Sequence, residues 1–103
     1  MTARIIDFLE PWVALTDAQR SRFEVELRRE LTPGHVLAGA AFRGIARRQD
    51  CDDVLFELVG DGVAVVHLTW SRETDARWPR TERFASLAEW AERRMKPDHE
   101  DFV

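Results

Sequence analysis

The chain has 103 residues, 45% of them hydrophobic and 33% charged, with a formal net charge of −4. That length suits one domain whose core needs no disulfide or metal staple, and apolar runs such as 36–42 are too short to cross a bilayer. The acidic balance gives no general attraction for nucleic acid or anionic lipid, and Cys51, the only cysteine, excludes an internal disulfide.

Residues 1–15 read as an N-terminal arm. Ile5, Ile6, Phe8, Leu9, Trp12 and Val13 make it apolar, and Pro11 holds Glu10 away from helical angles. A short helical turn followed by an extended segment is expected. Asp7 and Glu10 lie where a signal peptide needs its apolar stretch, so the expected compartment is the cytoplasm. Thr16 and Gln19 then form a capping box, each closing on the other's backbone N–H. Phe23, Leu27 and Leu31 recur every four residues, with Glu24, Glu26, Arg28 and Arg29 off that stripe. Pro33 and Gly34 stop the helix near Thr32.

From 35 to 70 the pattern becomes that of strands. "HVLAGAAFRGIARR" reads as a long strand in which Gly39 and Gly44 mark a bulge or a close backbone approach. "VLFELVGDGVAVVHLTW" reads as a hairpin. A three-residue loop at 60–62, with Gly62 left-handed, pairs Val59 with Val63. Val54, Phe56 and Leu58 then share a face with Ala64, Val66, Leu68 and Trp70, while Leu55, Glu57, Val65, His67 and Thr69 share the other. A one-residue slip would invert every side chain, so this assignment of faces is strongly specified.

"RTERF" (80–84) alternates weakly and offers a fourth, edge strand. Ser86 and Glu89 form a second capping box, and Leu87, Trp90, Ala91 and Met95 share one helical face. Pro97 is expected to end that helix and leave 98–103 as a loose tail. The fold expected is therefore α+β: an antiparallel meander of three strands, with 80–84 as a possible fourth. Both helices are expected on the face of Phe56, Val66 and Trp70. The other face, with Leu55, Val65 and His67, is too apolar to stand in water, so the N-terminal arm or a second subunit is expected to cover part of it.

Candidate chemistry is sparse. His67 lies diagonal to Glu57 in this register, an arrangement suited to acid/base work or, with His35, Asp52 or Asp53 as a third group, to holding a metal. No HxxxH or CxxC spacing supports a metal, so a solvent-facing cross-strand pair is the preferred reading. Asp50, Asp52 and Asp53 follow Arg47 and Arg48, which favours a self-neutralising turn over a cation loop. The same acids disfavour a thiolate at Cys51, which reads as a packing residue. Arg43, Arg47 and Arg48 would make a weak nucleic-acid patch, but acids interleave with them. Phosphate-loop, nucleophile-elbow and zincin patterns are absent, and no cofactor is expected. Among four tryptophans, Trp70 and Trp90 fall on core faces and Trp12 at a core edge. Trp78, beside Pro79, stands alone in a polar loop that it either pins to the core or presents to a partner.

The stretch 44–90, with "ARRQDCDD", "VAVVHLTW" and "WP" as its distinctive parts, resembles a family of small bacterial proteins to which no activity is attached. The resemblance implies a bacterial source and a stand-alone domain, and it carries over no catalytic residue. The function expected first is a non-catalytic protein-interaction module, a homodimer or an immunity-type inhibitor, using Trp78, Leu55, Val65, His67 and Arg43. A small metal-dependent or acid/base enzyme built on His67 and Glu57 is the alternative. A nucleic-acid binder using Arg43, Arg47 and Arg48 comes third.

Overall fold

The computed structural model describes residues 7–60 and 62–103. Five strands, β1 (Trp12–Ala14), β2 (Phe42–Arg48), β3 (Asp53–Leu58), β4 (Val63–His67) and β5 (Arg80–Phe84), form an antiparallel sheet in chain order. Helix α1 (Asp17–Glu30) joins β1 to β2. The C-terminal helix is continuous through α2 (Leu87–Trp90), a π-helical stretch (Ala91–Met95) and α3 (Lys96–Phe102). No helix among the described residues is long and apolar enough to cross a membrane. The possible fourth strand is present as β5, and the arm adds β1 as a fifth. The helical turn expected before Pro11 does not occupy residues 7–10, which are irregular up to a turn at Glu10–Pro11, and residues 1–6 lie outside the described residues.

The two helices pack on opposite faces of the sheet, not on one. Phe23 and Leu27 of α1 pack with Val54, Phe56, Ala64 and Val66, whereas Trp90, Ala91 and Met95 pack with Leu55, Val63 and Val65. Strands β3 and β4 therefore bury both of their alternating rows, and the continuous run Val63–Val66 reads as a strand covered on both sides. The face of Leu55 and Val65 is closed by the chain itself. Trp12, Phe8 and Leu9 of the N-terminal arm join the C-terminal helix there, so the arm covers part of that face as expected.

The β3–β4 faces are those anticipated, but the register is shifted by two residues. Glu57 opposes Val63, Leu55 opposes Val65 and Asp53 opposes His67. Leu58 N–H donates to the Gly62 carbonyl at 2.8 Å, which moves the turn one residue toward the N-terminus on that strand. Asp61, at the expected tip, lies outside the described residues. Gly62 has φ +78°, and a Cβ there would overlap the Phe84 carbonyl oxygen, so only glycine fits.

Strand β2 begins at Phe42, not near 35; turns occupy the preceding stretch, with His35, Ala38 and Ala40 each donating a backbone N–H three residues back. At Gly44 the strand carries the expected bulge and close approach. A Cβ there would lie 2.9 Å from Leu15 Cδ1. The Gly44 backbone is taken up by α1: its N–H donates to Glu24 and its carbonyl accepts from Arg20 Nε.

Pro97 does not end the last helix. Lys96 N–H bonds to the Ala91 carbonyl, five residues back, and this π-register turn lets Pro97, which lacks an N–H, enter the first turn of α3. The tail is thus helical through Phe102. Its Asp98 accepts from Trp12 Nε1 at 2.9 Å and from Arg94 Nε at 3.1 Å.

Residues 68–79 cross from β4 to β5 as a strap along the α1 side, and a buried carboxylate fastens its start. Glu30 is fully buried and accepts from Thr69 N–H (2.9 Å), Thr69 Oγ1 (3.0 Å) and Trp70 N–H (2.8 Å). Trp70, expected in the core, is instead 37% exposed and left-handed at φ 58°. Its ring lies edge-on to Phe23 and beneath the Arg22 guanidinium, and its Nε1 reaches Asp52. A left-handed non-glycine residue costs about 1–3 kcal/mol, which the Glu30 hydrogen bonds offset. Pro79 is fully buried at the far end, where His35 holds its carbonyl, while Trp78 is 41% exposed. Pro79, rather than Trp78, pins the strap.

Burial, with the neighbouring Glu26 carboxylate, raises the Glu30 pKa from 4.5 to about 7. The folded state therefore holds this proton more tightly than the unfolded chain. The stability it contributes is fully present below about pH 4.5 and is lost as pH rises through about 7. Denaturant titrations across this window should show stability falling by up to about 1.4 kcal/mol per pH unit. Glu30→Gln should flatten that slope and lower overall stability by about 1–3 kcal/mol, because its amide opposes the Trp70 N–H.

Candidate functional site

At one end of the sheet the register aligns three polar side chains. Asp53 of β3 opposes His67 of β4, and His67 opposes Arg80 of β5. Cross-strand partners share a face, so this row extends the covered rows of Leu55 and Val65 beyond the C-terminal helix's apolar packing. Arg94 of the π-helical stretch reaches the row from above. Together with Glu82, these side chains line a cleft of about 410 Å³ whose floor is Val65.

Each nitrogen of Arg94 is engaged: Nη2 donates to Asp53 (2.8 Å), Nη1 to Glu82 (3.0 Å) and Nε to Asp98 (3.1 Å). It also lies 5.7 Å from the Trp12 ring centroid. Asp53 spends one oxygen on Arg94 and accepts from His67 Nδ1 on the other at 2.7 Å. Burial opposes the ionised Asp53, but hydrogen bonds from His67 and Arg94 outweigh it and hold the carboxyl below its ordinary range. A fixed carboxylate keeps the hydrogen of His67 on Nδ1 and leaves Nε2 as the atom offered outward. The imidazole is 40% exposed, and its Nε2 has no partner among the described residues. Arg80 is exposed and forms no ion pair among the described residues. Thr81 borders the cleft, but its hydroxyl lies on the α1 side, where it donates to the Pro79 carbonyl.

His67 and Asp53 are thus brought together; Glu57 is not. Glu57 lies two rows away, opposite Arg43 and Val63, so the His67–Glu57 pair does not form. Asp52 faces Trp70, and no group of three metal-ligating side chains forms among the described residues. Arg48 makes a two-point contact with Asp50 at 2.8 and 2.7 Å, the self-neutralising turn expected. The bulge at Ile45 sends Arg43 to the C-terminal helix's face and Arg47 to the α1 face, so Arg43, Arg47 and Arg48 form no common patch. Leu55 and Val65 are buried and offer nothing to a partner. Cys51 is half-buried, with its thiol pushed up chiefly by burial, as suits a packing residue. His35 is buried away from the cleft. Leu37 N–H donates to its Nδ1, so Nε2 carries the hydrogen given to Pro79.

Arg80 and Arg94 were not singled out by the sequence patterns. Arg80 had a usable signal, since setting 80–84 antiparallel beside β4 puts Arg80, Glu82 and Phe84 on the face of His67. Arg94 reads as a solvated position of its helix, and only the π turn with Asp98 behind it makes it a strut. The fold and cleft define an α+β protein with a polar pocket at a sheet end. Comparison of the chain with protein-family models, with curated proteins and with solved structures gives no match in any of the three.

The roles of Arg94 and His67 separate by stability. Arg94→Ala leaves Asp53 and Asp98 without their shared cation and is expected to cost about 3–5 kcal/mol. His67→Ala removes a half-exposed ring and is expected to cost less than about 1 kcal/mol. Urea denaturation of the two variants checks this, and a His67 cost matching that of Arg94 would make the imidazole structural.

Proposed function

We propose that the protein is a non-catalytic binding module that takes a small organic anion in the cleft between β4, β5 and the C-terminal helix. The observation that supports it is one juxtaposition: an imidazole tied at Nδ1 and open at Nε2 faces the same space as Arg80, a guanidinium without a counter-ion among the described residues. Arg80 presents a planar fork suited to a carboxylate or phosphate, and the cleft lies toward the lower end of the roughly 300–1,000 Å³ typical of small-molecule sites. Catalysis has less support, because Asp53 and Glu82 are bound to Arg94 and the Thr81 hydroxyl is turned to Pro79.

Benzoate, a ring-bearing carboxylate that such a cleft accommodates, is the probe. Its addition should shift the His67 ring signals in NMR spectra and saturate with a dissociation constant on the order of millimolar. Arg80→Ala, at an exposed position, should abolish the shift and leave the fold intact. A His67 spectrum unmoved by benzoate would end this reading.

A protein-interaction module is the second reading. The apolar sheet face that first suggested it is closed, but Trp78 is 41% exposed at the end of the strap. A ring reserved for a partner should cost less than about 1 kcal/mol to remove, whereas a docked tryptophan costs about 3 kcal/mol or more. Thermal or urea unfolding of Trp78→Ser distinguishes the two.

A further inference from the structure

The cleft's charge balance carries the binding reading one step further. The charged groups facing His67 are Asp53 from β3, Arg80 and Glu82 from β5, and Arg94 from the C-terminal helix. Among the lining groups two guanidinium groups thus meet two carboxylates, so with a neutral imidazole their charges balance; Arg94's third carboxylate, Asp98, is outside the lining and shared with Arg48. Neutral His67, with its hydrogen on Nδ1, also presents a lone pair at Nε2, which repels a ligand oxygen. Protonation at Nε2 changes both conditions. It supplies a donor pointing into the cleft and makes the site singly positive. The Nδ1–H bond to Asp53 persists in either form, so the proton enters without rearranging its surroundings.

Resting on the proposed binding function, we infer that the cleft takes up its anion together with one proton at His67 Nε2, and that it selects a monoanionic carboxylic acid over a dianion. A single negative charge neutralises the protonated site. A second one would face Asp53 and Glu82, whose positive partner, Arg94, already shares its charge among three carboxylates. Asp53 and Arg94 are positioning residues here. They fix which imidazole nitrogen is free, and His67 and Arg80 make the contacts.

Calorimetry of benzoate binding in two buffers of different ionisation enthalpy, repeated across a pH series, tests this. Proton uptake should accompany binding, and affinity should fall by up to about tenfold per pH unit as His67 loses its proton. Phenyl phosphate, largely a dianion near neutral pH, should bind several-fold more weakly than benzoate. His67→Gln keeps a donor but cannot titrate, so it should retain some binding with no proton uptake and a flat pH profile. Benzoate binding without proton uptake, or phenyl phosphate binding as tightly, would overturn the inference and leave the binding function standing. Absence of binding by both probes at every pH would overturn both.

Discussion

The guanidinium of Arg94 is the point at which the polar end of this fold is held together. Its nitrogens meet carboxylates from β3, β5 and α3, and its face lies over Trp12 of β1. Four elements distant in sequence therefore share one cation. Burying charge is costly unless each group is paired and hydrogen-bonded, and here the contacts run 2.8–3.1 Å with all three guanidinium nitrogens used. Asp98 extends the link to Trp12 Nε1 and, at 3.4 Å, to Arg48. Together with the hydrogen bond from His67, the same cation keeps Asp53 ionised, and Asp53 in turn sets the imidazole of His67. The geometry of the cleft is thus a by-product of how the C-terminal helix is fastened.

On the opposite face a buried carboxylate does a related job with the charge reversed. Glu30 gathers the backbone donors of Thr69 and Trp70 where β4 leaves the sheet. Among the described residues it has no cation of its own, and its neighbour Glu26 is occupied by a two-point contact with Arg29. Burial without a counter-charge raises the pKa of Glu30, whereas burial with two donors beside it leaves that of Asp53 lowered. The two acids show the same desolvation with opposite outcomes, decided by the partner.

What was legible in the sequence was mostly local. Thr16–Gln19 and Ser86–Glu89 place their caps where the structure has them, with Thr16 Oγ1 accepting from Gln19 and Ser86 Oγ from Glu89. Alternation assigned the two faces of β3 and β4, because a period of two survives a register shift of two. The register itself was not legible, since Val59 and Leu58 are equally able to begin the turn and the choice falls to Gly62 against the Phe84 carbonyl. The stripe of α1 was read from its apolar members alone. Glu30, seven residues after Phe23, lies on that stripe, and a buried acid on an apolar face is invisible until its donors are placed. Pro97 misled for a similar reason: a proline stops an α-helix but not one that has just changed its hydrogen-bond register. Of the cleft's polar groups, only His67 and Asp53 were visible as candidates, and Asp53 entered as one of three possible third groups beside a His67–Glu57 pair that does not form.

The strap joins these two faces. Its far end is fixed on the α1 side, where His35 Nε2–H donates to the Pro79 carbonyl at 2.7 Å and Thr81 Oγ1 donates to the same oxygen at 3.1 Å. The strand that follows alternates with a period of two, so Thr81 opposes Val66 in one row while Arg80 opposes His67 in the other. Anchoring Pro79 and Thr81 beneath α1 therefore obliges Arg80 to point to the far face, into the cleft. A polar loop with an exposed tryptophan ends on a buried proline because the next residue has to be delivered, in register, beside His67. That Arg80 has no counter-ion among the described residues follows from the same construction: its row neighbour His67 is already engaged by Asp53, and the nearby Glu82 by Arg94. A guanidinium with no ion pair among the described residues is thus a product of strand alternation and of carboxylates already spent on holding the fold.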